Sequence, residues 1–333
     1  MPVQYTAIIE EHTAVRTACG IFDISHMGQF IVTGSNSASW LNRMLTNDIA
    51  DLGIGQGQYT LMLNERGGVI DDLIAYRSGE EAFFLVVNAS MIDEDFAWMK
   101  THVDEGVSLT NESDLWAGMA VQGPKAVDVF AQVFQTEVLP PRNGISTVAE
   151  GGIVCRTGYT GEDGFEFFAP AGAGIACWDR FVAAGAKPCA LGSRDTLRLE
   201  MGYPLNGNDL SPNRSPIEAG LGFFCDVEKG DFMGRDVLAQ QKADGPQVRL
   251  VAIRYLEKGP PPRAHYPVAS AGGAVIGELS SGALSPTLMA GIGMAYLPAE
   301  FAMIGTHLQI EVRGKFFPAM VVKKPFYKPD HAS

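Results

Sequence analysis

The chain has 333 residues, 46% of them hydrophobic and 19% charged, with a formal net charge of -13. This ordinary globular composition excludes whole-chain disorder, collagen and coiled coil, and the length suggests two or three domains. The acidic balance argues against a nucleic-acid binder, which normally carries a strong basic excess.

From Ile8 to Ala18, residues Ile8, Ile9, His12 and Val15 fall at helical spacing and predict a short helix ended by Gly20. GQFIVTG, from Gly28, alternates like a strand, and Ser37 is placed to cap a helix carrying Leu41, Met44 and Leu45 on one face. Tyr59–Leu63 and Val69–Tyr76 read as paired strands around Asn64-Glu65-Arg66-Gly67-Gly68. Phe83–Val87 is another strand. Ser90 then caps a helix with Ile92, Phe96, Met99 and Val103 on one stripe, and Val107–Thr110 closes the unit.

The order recurs. Trp116–Val121 reads as a strand, Gly123-Pro124 opens a helix through Val127, Phe130 and Phe134, and Ile153–Thr157 and Gly164–Ala169 flank a glycine turn. A helix over 175–184 and a strand over 187–191 follow. The pattern predicts an α+β fold of two tandem β-α-β-β-α-β units, roughly 29–114 and 115–192. After Gly234 and the polar KADGPQ come many short strands without a long helix, the signature of an all-β, barrel-like domain.

Five scattered cysteines include no C-x-x-C pair, so neither a zinc site nor a disulfide framework is indicated, and reduced thiols in a cytoplasmic protein are expected. The opening MPVQYTAIIEEH lacks the basic and apolar regions of a signal peptide. No apolar run reaches the ~20 residues of a membrane span. His26, in DISHMG, reads as a satisfied buried histidine rather than a catalytic one.

Four stretches could carry chemistry. In GGVIDDLIAY, strand alternation sends Asp71 and Asp72 to opposite faces, one solvated and one inward; a carboxylate on a buried face is costly unless it binds something. Two turn-proximal acids on an edge strand fit equally. In LVVNAS, Asn88 offers both a donor and an acceptor, or simply flanks the Ser90 cap. In RTGYTGEDGFEF, glycine turns flank Tyr159, and a strand carboxylate such as Glu166 can accept two parallel N–H bonds from a planar pterin- or purine-like edge. A hairpin with a packed tyrosine is the plainer reading. In ALGSRDTLRLEMGYPLNGNDL, Arg194 at a loop-to-helix junction suits an anionic ligand tail, while Arg194, Asp195, Arg198 and Glu200 also have the spacing of structural ion pairs.

In register, EEHTAVRTACGIFDISHMG, GGVIDDLI, VVNAS, VQGP, RTGYTGEDGFE, LGSRDTLRLE, SSGALSPTL and VVKKPFY resemble the aminomethyltransferase (T-protein) family of the glycine cleavage system. The resemblance implies a three-domain cloverleaf around a tetrahydrofolate channel: 29–114, then 1–28 with 115–238, then 239–333. It implies transfer of an aminomethyl group from the dihydrolipoyl arm of lipoylated H-protein to tetrahydrofolate, with no metal, nucleic-acid or membrane partner. By the family pattern Asp72 is the catalytic carboxylate and Asp71 is aimed elsewhere. Asn88 and Glu166 hold the pterin, Tyr59, Tyr159 and Tyr203 form aromatic walls, and Arg194 lies near the folate's anionic half.

Two departures stand out. Family members usually carry further residues upstream of the Met-Pro at which this sequence starts, residues that help build the domain holding 1–28. The family's Tyr-Gly-Gln is Asn206-Gly207-Asn208 here, a change expected to alter the pocket wall or the substrate. That change keeps open another tetrahydrofolate-dependent C1 transferase or demethylase on the same fold. A non-enzymatic folate-binding relative would carry Lys-Gly-Cys-Tyr, which is missing. The basic run Lys323, Lys324 and Lys328, with Arg313 and Lys315, is the expected local docking surface for H-protein.

Overall fold

AFFLVV, residues 82–87, is apolar at every position, so a strand made of it must be covered on both faces. It is. In the computed structural model, which describes residues 1–329, Phe83, Leu85 and Val87 pack under helices. Phe84 and Val86 pack against a second sheet.

The chain starts with α1 (Ile8–Thr17) and β1 (Gly20–Asp23). It continues through β2 (Gly28–Thr33), α2 (Ser37–Met44), β3 (Gly57–Leu63), β4 (Val69–Gly79), β5 (Ala82–Val87), α3 (Ile92–Thr101) and β6 (Ser108–Asn111). The same order repeats as β7 (Trp116–Gln122), α4 (Ala126–Phe134), β8 (Ile145–Val148), β9 (Gly152–Cys155), β10 (Gly164–Pro170), α5 (Gly174–Ala183) and β11 (Lys187–Cys189). Helices α6 (Leu191–Glu200) and α7 (Arg235–Asp244) lead into β12 (Val248–Tyr255), β13 (Pro267–Ser270), β14 (Val275–Ser285), β15 (Ala290–Pro298), β16 (His307–Val312) and β17 (Lys315–Val322).

The fold is α+β, as expected, with a closed antiparallel barrel β12-β15-β14-β13-β16-β17. The two repeats are present, and each carries one strand more than a six-element unit. The first sheet has the order β3-β4-β5-β2-β6 and the second β11-β1-β7-β10-β9-β8. The additional strand of the second repeat, β8, is the short ISTV segment, whose half-exposed pattern gave little signal. Between β7 and β11 the second sheet admits β1, which pairs antiparallel with β7 and parallel with β11.

Alternation then sorts the side chains. In β10, Phe165 and Phe167 point to the helices α4 and α5, while Phe168 points to the first sheet and meets Phe84 at 5.5 Å. Glu166 shares the face of Phe168, and Asp72, Ile74 and Tyr76 share one face of β4. The helix-free faces of the two sheets therefore meet, and polar groups on them look into one shared space.

Candidate active site

Asp71 and Asp72 follow an irregularity in the β3–β4 ladder, where Met62 pairs with Asp71 but Leu63 pairs with Val69. Such a bulge re-aims the residues beside it. Asp71 is fully buried on the side of α3, whereas Asp72 turns toward the second sheet. Asp71 is the inward carboxylate, fully buried, and Asp72 keeps part of its surface exposed, in line with the expected split.

Asn88, at the end of β5, bridges them. Its Nδ2 donates to Asp71 Oδ1 at 2.8 Å, to Asp72 Oδ1 at 2.9 Å and to the Asp72 carbonyl at 3.0 Å, and its backbone N–H donates to Asp71 Oδ2 at 3.0 Å. Tyr59 Oη donates to Asp72 Oδ2 at 2.8 Å. Burial, and next the Asp71 charge, push the Asp72 carboxyl up to about 7, against the bonds from Tyr59 and Asn88 that favour its anion. A carboxyl poised there can both take and return a proton at neutral pH.

The second sheet and α6 supply the opposite wall. Glu166 is buried, and burial raises its pKa against Thr157 and Arg194. Its Oε2 accepts from Thr157 Oγ1 at 2.7 Å, and Thr157 Oγ1 lies 2.6 Å from Tyr76 Oη. Oε1 takes no hydrogen bond among the described residues. Tyr159 stacks on Tyr203 at 5.8 Å and 24°, and its hydroxyl donates to the Pro204 carbonyl. Gly161 permits this approach: its φ is +84°, and a Cβ there would sit 2.3 Å from Met201 Sδ.

Arg194 lies in the first turn of α6, its guanidinium 4.9 Å from the Tyr159 ring centroid. It makes no ion pair among the described residues. Arg198 is the structural member of the pair, bonded to Asp195 at 2.7 Å and Asp209 at 2.9 Å. The free guanidinium over an aromatic ring is placed to meet an anion.

Residues 1–229 match the GCVT N-terminal domain family, and residues 249–328 match the glycine cleavage T-protein C-terminal barrel domain family. The chain belongs to the glycine cleavage T-protein family. An aminomethyltransferase of Bacillus cytotoxicus is 44% identical over 98% of this chain and 92% of its own length. One from Geobacillus thermodenitrificans is 45% identical with the same coverage. The crystal structure of the glycine cleavage system aminomethyltransferase T from Bartonella henselae superposes with a TM-score of 0.93, at 32% identity, over 99% of this chain and 92% of that one.

Asp71 is aimed away from Asp72, as expected, and anchors Asn88. Three expectations change with the structure. Asn206 does not face a substrate pocket: its Nδ2 donates to Asp71 Oδ1 at 2.5 Å and to the Ile70 carbonyl at 2.9 Å. Asn208 is exposed and donates to the Ser280 carbonyl. The family difference at 206–208 therefore acts behind the carboxylates and gives no ground for a different donor. His26 is exposed rather than buried. Finally, the basic run is not one surface. Lys323 and Lys328 are exposed, but Lys324 lies against Gly202, and burial lowers its pKa.

Sequence reasoning missed Thr157 and Asp95. Thr157 sat inside RTGYTGEDGFE without a pattern to single it out. Asp95 did carry a signal, being an acid on the apolar stripe Ile92, Phe96 and Met99 at helical spacing. Among the described residues no group of three His, Cys, Asp or Glu is placed to hold a metal ion, and no helix is long and apolar enough to cross a membrane.

Proposed function

We propose that this aminomethyltransferase takes its one-carbon unit from the dihydrolipoyl arm of H-protein and delivers it to tetrahydrofolate, with Asp72 as the catalytic carboxylate. The observation that carries this is the Asp72 carboxyl at about 7, held by Tyr59 and Asn88 and facing the wall of Glu166, Tyr159, Tyr203 and Arg194. Glu166 Oε1 is left for an N–H edge of the pterin, with Asn88 beside it. The stacked tyrosines enclose the apolar body of the folate, and Arg194 meets its anionic half.

The transfer moves two folate N–H protons. The aminomethyl carbon loses ammonia and its bond to sulfur and gains bonds to two folate nitrogens. One proton goes to the lipoyl thiolate and the other to the departing ammonia, giving 5,10-methylenetetrahydrofolate, the free dithiol and ammonium. Asp72 is placed to relay a proton between these sites, and its anion steadies the cationic iminium on the way. No metal is required by this scheme.

The same reading divides the chain into 29–114, 1–28 with 115–238, and 239–333; insertion of β1 into the second sheet supports the second of these. It places the enzyme in the cytoplasm. Lys323 and Lys328 offer exposed local positive charge for an acidic partner. The deciding experiment is turnover with aminomethylated H-protein and tetrahydrofolate, with the donor omitted as control. Methylenetetrahydrofolate formation only with the donor present supports the reading. Equal turnover of a small methylated amine would replace it with a demethylase.

A further inference from the structure

One polar side chain joins the two walls of the site from behind. Asn206 stands in the loop after α6, where its Oδ1 accepts from the Gly207 N–H at 2.9 Å. That bond turns the oxygen into its own loop and leaves the NH2 group facing β4. Nδ2 donates to the Ile70 carbonyl at 2.9 Å and to Asp71 Oδ1 at 2.5 Å. Both partners are acceptors, so only this orientation of the amide fits.

The two contacts fall on the β3–β4 bulge. Met62 pairs with Asp71 and Leu63 with Val69, which leaves Ile70 as the extra residue of the strand. A bulge puts its extra residue outside the ladder and re-aims the side chains beside it. Asn206 therefore grips the residue at which β4 bends, together with the first of the two carboxylates that follow. Asp71 Oδ1 is shared. It also accepts from Asn88 Nδ2 at 2.8 Å, and the same Nδ2 donates to Asp72 Oδ1 at 2.9 Å. The chain of contact runs from Asn206 through Asp71 and Asn88 to Asp72.

The rest of the loop is fixed independently. The Pro204 carbonyl accepts from the Tyr159 hydroxyl. Asp209 Oδ2 accepts from the Leu205 N–H at 2.9 Å, from Arg198 Nη1 at 2.9 Å and from Ser281 Oγ at 2.8 Å. The tyrosine wall thus keeps its place without the Asn206 amide.

We propose that Asn206 is a positioning residue: it clamps the β4 bulge to the tyrosine-bearing loop and so holds the Asp72 carboxyl at its working distance from a folate lying against that wall. This inference rests on the reading of Asp72 as the catalytic carboxylate. An amide suits the task, since one NH2 group offers two donors for two oxygens and brings no charge up to Asp71. A single hydroxyl could satisfy only one of them.

The test is Asn206→Ser. The serine oxygen can still accept from the Gly207 N–H, so the turn of the loop is kept, but the side chain is too short to reach β4. With aminomethylated H-protein and saturating tetrahydrofolate, kcat should fall about tenfold, less than the ~10²-fold that a 1 Å misplacement can cost. The calorimetric Kd for a reduced folate should stay within about threefold of the parent, because the wall that binds it is unmoved. Coupling is the second readout. In an Asp72→Asn background, Asn206→Ser should lower kcat by less than about twofold more, since its effect passes through a carboxyl already removed. Asn206→Asp is the companion variant. It keeps the shape and the Gly207 bond, sets an oxygen against Asp71 and Ile70, and should lose at least as much kcat as Asn206→Ser.

Thermal unfolding shows whether each variant is folded. Parent-level kcat in a folded Asn206→Ser enzyme overturns the proposal. So does a loss that persists undiminished in Asp72→Asn, since the effect would then bypass Asp72. Equal changes in kcat and Kd would assign Asn206 to the ligand wall and also overturn it. Should Asn206→Ser not fold, Asn206→Asp decides by the same outcomes, and if neither folds Asn206 is structural and the proposal fails. Failure of the Asp72 reading is seen separately, as near-normal turnover in Asp72→Asn alone.

Discussion

Tyr59 Oη donates to Asp72 Oδ2 at 2.8 Å across the β3–β4 ladder, in which Tyr59 pairs with Ile74 and Asp72 with Leu61. The two side chains are thus diagonal neighbours on one face, within reach of a long side chain. The bond favours the Asp72 anion, against burial and the Asp71 charge. Tyr59→Phe removes it and keeps the ring, including its edge contact with Phe224 at 4.7 Å. A hydrogen bond to a charged group contributes about 1.5 kcal/mol, or about one pH unit. The acid limb of kcat against pH should therefore move up by about one unit; a stationary limb would mean that Tyr59 does not act on Asp72.

Asp72→Asn should lower turnover by ~10²-fold or more, the range for a positioned acid–base group. Its effect on stability has the opposite sign. The folded pKa of Asp72, about 7, lies above its ordinary 3.8, so the folded state binds the proton more tightly. The stability this contributes is fully present below the unfolded value and is lost as pH rises through about 7. Asp72→Asn should then raise the thermal midpoint over the parent more at about pH 8 than at about pH 4. A constant difference across that window would show that Asp72 does not titrate there.

Asp71→Asn separates strand alternation from the full geometry. Alternation alone sends Asp71 away from the chemistry and predicts little loss. The observed bonds from Asn88 and Asn206 predict otherwise, because an amide at 71 sets an NH2 group against donors that now lack an acceptor. Turnover should fall about tenfold, with a stability loss of about 1–3 kcal/mol, the cost of an unsatisfied buried polar group. Turnover at the parent level would restore the simpler view.

Glu166→Ala should weaken binding of a reduced folate by about 1.5–3 kcal/mol, the scale of a charge-assisted bond. Calorimetric titration measures it directly. Glu166→Gln is the sharper control, since its amide can still accept from Thr157 but presents only one oxygen. If both variants bind folate like the parent, Glu166 serves only to hold Thr157 and Tyr76.

Much of this architecture was legible because period and punctuation agreed. AFFLVV, VIDDLIAY and GFEFFAP are strands with strong apolar runs, and each lies where the pattern put it. The strands β1 and β8 were not, because four residues carry too little period and their pairing is long-range. The seven candidate site residues were named by resemblance; chemistry alone singled out Asp72, Asn88, Tyr159, Glu166 and Arg194, each with a plainer alternative, and gave no signal for Tyr59 or Tyr203. What no one-dimensional pattern carries is the joining of Asp71, Asn88 and Asn206, which come from β4, the end of β5 and the loop after α6. A buried acid on an apolar helical stripe, Asp95, is a visible anomaly in sequence.

The last prediction concerns how the N-terminal helix is fastened. Glu200, at the end of α6, is fully buried and accepts from Arg16 Nη2 at 2.8 Å, Thr287 Oγ1 at 2.9 Å, Thr287 N at 3.1 Å and Ser285 Oγ at 2.5 Å. His12 Nε2 lies 3.3 Å from it. One carboxylate therefore ties α1 to α6 and to the end of β14. Burial alone would raise its pKa, but the His12, Ser285 and Arg16 contacts together outweigh burial and hold the carboxyl at about 2. A depressed folded pKa stabilises the fold above the unfolded value of 4.5, and that contribution is lost as pH falls toward about 2. Glu200→Gln keeps the shape, removes the charge and leaves Arg16 with one carboxylate partner, Glu162. The expected cost is about 3 kcal/mol at neutral pH, the scale of breaking a buried ion pair. Denaturant unfolding of both proteins at about pH 7 and about pH 3 checks the sign: the gap should narrow at the lower pH, as the parent carboxylate begins to take up a proton. A gap of equal size at both would mean that Glu200 acts through packing and hydrogen bonding alone, with no contribution from its charge.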